Sequence, residues 1–230
     1  MAARSLRSRA LAMSAVGTLV FTQGCVDDGV SLHVICPIVP TISADACIYD
    51  PSSGACLGTG IMNLGSASHY ELNLRVESGL KPRARDVPPQ GEPNGLQVRS
   101  ATVELRTTLG EKLAFGTDAN GMPIDNPFEV AVAGYIPPAG SAAINVTIVT
   151  PAHAEQLYDA KNVPIRPQIV AGVKIKGKTN GQVDVESGEY VWPVLLTFKS
   201  SKKVENSACI TKPYCAGSVG TDAFADVCTE

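Results

Sequence analysis

The sequence predicts an all-β chain folded as an antiparallel β-sandwich, on three observations. Apolar residues alternate with polar ones at period two in run after run between about Leu57 and Phe198, which is how a strand with one buried face reads. Asn-Gly pairs at 94–95, 120–121 and 180–181 and Pro-Pro pairs at 88–89 and 137–138 separate those runs. The chain also holds 21 glycines and 16 prolines, a supply of turn residues suited to many short elements. At 230 residues it is long enough for one domain with a substantial core.

The first element is not part of that body. Arg4, Arg7 and Arg9 lead into the uncharged run Ala10–Phe21. Twelve helical residues cover about 18 Å, well short of the ~30 Å hydrocarbon core of a bilayer. A cationic leader followed by so short an apolar run is the pattern of an export signal, expected over residues 1–24. The run closes on Thr22-Gln23-Gly24-Cys25. This resembles the lipobox of bacterial lipoproteins, matching at Gly24 and Cys25 and departing at Thr22, where leucine is usual, and at Gln23, which is larger than the usual small residue. The resemblance implies cleavage before Cys25, acylation of its thiol and amino group, and a place in the bacterial cell envelope. Val26, rather than Asp, follows the cysteine, which by the sorting rule of enteric bacteria implies the outer membrane. Residues 25–35 are then the lipidated cysteine and a short tether, and 36–230 a single domain.

The cysteine count agrees with that reading. The chain has Cys25, Cys36, Cys47, Cys56, Cys209, Cys215 and Cys228. An odd cysteine in an exported chain calls for an explanation, and a lipid on Cys25 leaves six for disulfides in an oxidising compartment. Three precede the alternating runs and three follow them, so the body is flanked by disulfide candidates. Six cysteines allow 15 pairings. At least one bridge between the two groups is expected, closing a loop of well over 100 residues with a nominal stabilisation of about 4–5 kcal/mol. There is no C-x-x-C, so neither a zinc site nor a thioredoxin-type redox site is expected.

Within the body, YELNLRV sets Tyr70, Leu72, Leu74 and Val76 on one face. LQVRSATVELRT has Leu96 and Val98 in phase, then Ala101, Val103 and Leu105 one step out, which predicts a β-bulge or strand switch near Arg99–Ser100. FEVAVAG aligns Phe128, Val130 and Val132, and SAAINVTIV aligns Ala142, Ile144, Val146 and Ile148. A short surface helix is expected over 151–160, opening on Pro151. IVAGVKI aligns Ile169, Ala171, Val173 and Ile175, and GKTNGQ at 177–182 predicts a tight hairpin. YVWPVLLTF aligns Tyr190, Trp192, Val194, Leu196 and Phe198, with Pro193 at an edge or a bulge. About seven strands at this spacing fit an immunoglobulin- or fibronectin-like sandwich, with a jelly roll or an irregular sandwich as alternatives. The whole pattern resembles bacterial lipoproteins built on one immunoglobulin-like domain.

Few residues offer chemistry. His33, His69 and His153 have no i, i+4 partners of the H-E-x-x-H kind, and no G-x-S-x-G elbow or Gly-rich phosphate loop occurs. Each histidine is therefore read as an ordinary exposed side chain. GTDANGMPIDN at 116–126 lacks the acidic ligands and terminal Glu of a calcium loop, so an Asx turn at Asp118 is expected instead. Asn145 is read as a solvent-facing strand residue. No metal or cofactor is expected. Three of the 19 basic residues and none of the 22 acidic ones precede Cys25, so the rest of the chain is clearly acidic, which argues against nucleic acid as a partner. Lys81, Arg83 and Arg85 form a small basic group on this acidic body, in a Pro-stiffened loop suited to contact an acidic envelope partner or lipid headgroups. The expected function is a membrane-anchored, non-enzymatic binding or structural module; the alternative is an envelope hydrolase with a site assembled from scattered residues.

Overall fold

A computed structural model describes residues 31–43, 46–53, 55–65, 67–82, 93–158 and 168–197. Its first strands are β1 (Leu32–Pro37), β2 (Thr41–Ser43), β3 (Ala46–Ile48), β4 (Gly60–Asn63), β5 (Tyr70–Ser78), β6 (Leu96–Thr107), β7 (Phe128–Ile136) and β8 (Ser141–Val149). Helix α1 (Pro151–Tyr158) follows, and then β9 (Gln168–Thr179), β10 (Asp184–Glu186) and β11 (Tyr190–Thr197). The fold is mostly β, with one short helix among the described residues.

The alternating runs behave as the pattern demands. In β5 the side chains of Tyr70, Leu72, Leu74 and Val76 are buried, while Glu71, Asn73 and Arg75 between them are only half-buried. β5 lies between β1 and β8 in a three-stranded sheet, both pairings antiparallel. The larger sheet runs β4-β11-β9-β6-β7, with β10 hairpinned onto β9. Inward residues of both sheets form one core, including Leu74 and Ile144 from the smaller and Val103, Val173 and Trp192 from the larger. The chain turns from β7 in one sheet to β8 in the other through Pro137–Gly140, closed by the Gly140 N–H donating to Pro137 O at 3.0 Å.

Two local expectations hold residue by residue. The register of β6 slips between Val98 and Ser100 against both of its neighbours, the bulge that carries Ala101, Val103 and Leu105 back to the core face. The Asn180-Gly181 turn makes the β9–β10 hairpin, with Thr179 N–H donating to Val183 O at 2.8 Å and Asp184 paired with Lys178.

Other features correct the sequence reading. Among the described residues there are eleven strands rather than about seven; the added ones (β1 to β4) are three to six residues long, too short for alternation to register. β1 begins at Leu32, inside the stretch read as tether, and Leu32 is fully buried opposite Ser78. β4 pairs with β11 in parallel. The two are separated by most of the body, so no tight turn imposes the antiparallel sense that consecutive strands take. This ladder covers only Val194–Thr197 of β11, which leaves Pro193 on the half that pairs with β9 alone, an edge in local terms.

The strand directions sort the connections to two ends. At the end where Ser31 enters, Gly79 N–H donates to Ser31 O at 2.9 Å and Ala139 N–H to Leu80 O at 2.7 Å. There too, Asn94 Nδ2 donates to Lys81 O at 2.7 Å, Asn180 N–H to Gly95 O at 2.7 Å, and Gly181 N–H to Pro93 O at 2.8 Å. The opposite end carries α1, the long connection from β6 to β7 (residues 108–127) and the turn after β4.

Candidate functional site

At the helix end the sequence places Thr150 before Pro151, and the Thr150 hydroxyl caps α1 by accepting from His153 N–H at 3.4 Å. Capping brings His153 inward. His153 is not exposed, as the sequence reading had it, but buried, with only 3% of its surface accessible. It meets Phe115 edge-on with centroids 4.7 Å apart and lies tilted on Phe128 at 4.2 Å. Nε2 stands 3.0 Å from the backbone oxygen of Asp125, and Nδ1 2.7 Å from Thr150 Oγ1. Desolvation holds the imidazole below its usual pKa, against the opposing pull of the Asp125 carbonyl. Two hydrogen bonds and two aromatic contacts thus satisfy the ring, as a buried polar group requires. Ala154 and Leu157 are buried with it, so the helix expected at the surface packs on the core through one face.

The 108–127 connection is held from several sides. Asn126 accepts from Leu105 N–H at 2.8 Å and donates to the oxygens of Leu105 and Leu113, both at 2.7 Å. Asp118 forms the expected Asx turn, its Oδ1 accepting from Asn120 N–H at 2.9 Å and Met122 N–H at 2.8 Å, and Gly121 takes the left-handed conformation the turn needs (φ 77°). Those hydrogen bonds, from Met122 first, lower the Asp118 pKa. No group of three or more His, Cys, Asp or Glu side chains placed to hold a metal ion occurs among the described residues.

Beside α1 lies an open cleft of about 360 Å³ lined by Leu64, Ala67, Pro151, Ala154, Glu155 and Tyr158, among others. His153 does not line it. Nothing in the sequence pattern marked this cleft, because it joins the turn after β4 to a helix some 85 residues later; Thr150-Pro151 ahead of His153 is the one local signal that could have located the buried imidazole.

The outer face of the larger sheet is charged and self-paired. Arg106 bonds Glu104 at 2.6 Å and Glu189 at 2.5 Å, Lys112 reaches Glu104 at 3.1 Å, and Lys176 and Ser100 Oγ share Glu129 at 3.5 and 2.6 Å. Hydrogen bonds from Arg106, then Lys112, lower the Glu104 pKa. Such exposed pairs contribute little stability each, but they cancel the charge of this face.

Of the residues singled out in the sequence, Cys36 and Cys56 form a disulfide with Cα atoms 5.6 Å apart, inside the N-terminal group. Cys47 stands in β3. Lys81 is exposed at the Ser31 end, at the start of the basic loop. His33 in β1 and His69 before β5 are exposed, as read, and so is Asn145. Cys25, Arg83, Arg85, Cys209, Cys215 and Cys228 lie outside the described residues.

No family model and no curated protein matches the chain. A solved structure titled "X-ray structure of Northeast Structural Genomics Consortium target SoR45" aligns with 55% of this chain and 70% of its own, at 12% sequence identity and a TM-score of 0.29. A likeness of that size carries no argument about function.

Proposed function

We propose that this chain is a bacterial envelope lipoprotein, held in the outer membrane by acyl chains on Cys25, whose body is an immunoglobulin-like β-sandwich acting as a binding or structural module rather than an enzyme. The observation that carries the reading is the arrangement of the N-terminus: a cationic leader, an apolar run too short to span a bilayer, and Gly24-Cys25 only six residues ahead of Ser31, whose carbonyl is already hydrogen-bonded to Gly79. Two acyl chains, each methylene contributing about 0.8 kcal/mol, suffice for stable anchoring. The two sheets sharing one core support the sandwich. The loop with Lys81, Arg83 and Arg85 is the contact loop of this reading.

Cys25→Ser tests it. The wild-type chain takes up labelled palmitate in a bacterial host and partitions with detergent; the variant does neither and is recovered in the aqueous phase. Equal partitioning of the two chains would sink the proposal.

A further inference from the structure

We infer that the Ser31 end of the body faces the bilayer, and that the helix end, with its cleft and the 108–127 connection, is displayed away from it. This rests on the anchor proposed above. From Cys25 to Ser31 a fully extended chain covers at most about 21 Å, so the point of entry stays close to the headgroups. Ser31 is not a loose start: its carbonyl accepts from Gly79 N–H, and the turns around Leu80, Pro93, Ala139 and Asn180 are joined to one another by backbone and side-chain hydrogen bonds. Whatever holds Ser31 near the membrane therefore holds this whole end near it. β6 and β9, twelve residues each, run from this end to the other, which places the helix end about 40 Å further along the strands at ~3.3 Å per residue.

The charge of the helix end agrees with this polarity. In the sequence, the connections at the Ser31 end (79–95, 137–140 and 180–183) carry Lys81, Arg83 and Arg85 against Asp86 and Glu92, and the tether adds Asp27 and Asp28. At the other end, 108–127 and α1 carry Glu111, Asp118, Asp125 and Glu155 against Lys112. An anionic lipid surface repels the more acidic second set within a Debye length, about 8–10 Å at physiological salt. Most charges on the side face of the larger sheet are held in ion pairs, which weakens any pull toward a flat posture.

The test uses the full lipidated chain in vesicles of a zwitterionic and an anionic phospholipid that carry an energy-transfer acceptor on their headgroups. A fluorescent amino acid is introduced singly at Lys81 or Val183, and at Leu109 or Met122, all exposed positions whose replacement leaves the core untouched. Strong transfer from 81 and 183 with loss of transfer from 109 and 122 is expected. Equal transfer from all four, as for a body lying flat, or stronger transfer from 109 and 122, overturns the orientation and leaves the anchor standing. A wild-type chain that stays off the vesicles removes the anchor, and the orientation with it.

Discussion

Asn126 pairs with both backbone groups of Leu105, its carboxamide oxygen accepting at 2.8 Å and its nitrogen donating at 2.7 Å. The side chain completes the hydrogen bonds of β6 where β7 has not yet begun, and the same nitrogen ties down Leu113. Asn126→Asp keeps the shape and removes both donated bonds while setting a carboxylate against two carbonyls. Removing buried partners costs about 1–3 kcal/mol, so the midpoint of chemical denaturation should fall with little change in slope. An unchanged midpoint would show that this clamp is not structural.

The buried imidazole predicts a pH dependence. Because burial lowers the folded pKa of His153, the unfolded chain, with a histidine pKa of about 6.5, binds the proton more readily. The stability associated with neutral His153 is therefore fully present above about pH 6.5 and declines as the pH falls below it toward the folded pKa. His153→Gln keeps hydrogen-bonding capacity without the titration. Denaturation curves between pH 5 and 8 should show a smaller loss on acidification for the variant than for the wild type, and parallel losses would contradict the assignment.

Gly60 packs where no side chain fits. A Cβ there would land on Tyr70 Oη and lie 2.8 Å from Trp192 Nε1, both in fully buried side chains. Overpacking of this kind costs about 1–3 kcal/mol, and for a domain of this size each kcal/mol lowers Tm by about 2–4 °C. Gly60→Ala should lower Tm accordingly. The emission of Trp192, the single tryptophan, follows the transition. A Tm equal to that of the wild type would refute the close packing.

With Cys36 bonded to Cys56, Cys47 is the third cysteine of the N-terminal group, and the sequence supplies three more in the C-terminal group. If all six pair, Cys47 must bond to Cys209, Cys215 or Cys228 by parity alone. Non-reducing peptide mapping of the exported protein should find Cys36 joined to Cys56 and Cys47 joined to a C-terminal peptide. A free Cys47 thiol would overturn the second link. Loss of the Cys36–Cys56 bond in a double Ser variant should cost about 3 kcal/mol, the loop it closes being short.

Strand faces were legible because period-two alternation depends on nearest neighbours alone. Tyr70 to Val76 and Ile169 to Ile175 face inward as read, and the phase slip in β6 located its bulge. The Asx turn at Asp118 and the Asn180-Gly181 hairpin were legible for the same reason, each closed within a few residues. His153 was not. Its burial depends on Phe115, Asp125 and Phe128, whose approach to α1 no local pattern encodes. The parallel β4–β11 pairing and the cleft beside α1 were hidden in the same way.

The sequence by itself determined the β class, the inward face of each long strand, the turns between them and the expectation of a lipidated N-terminus, since all of these follow from residue type and short-range spacing. Only the tertiary structure decided which strands are neighbours, that Cys36 pairs with Cys56, that His153 is enclosed, and that Ser31 and Lys81 share one end of the body. Those relations join residues tens of positions apart. They are selected by burying one common core, not by the preference of any segment alone.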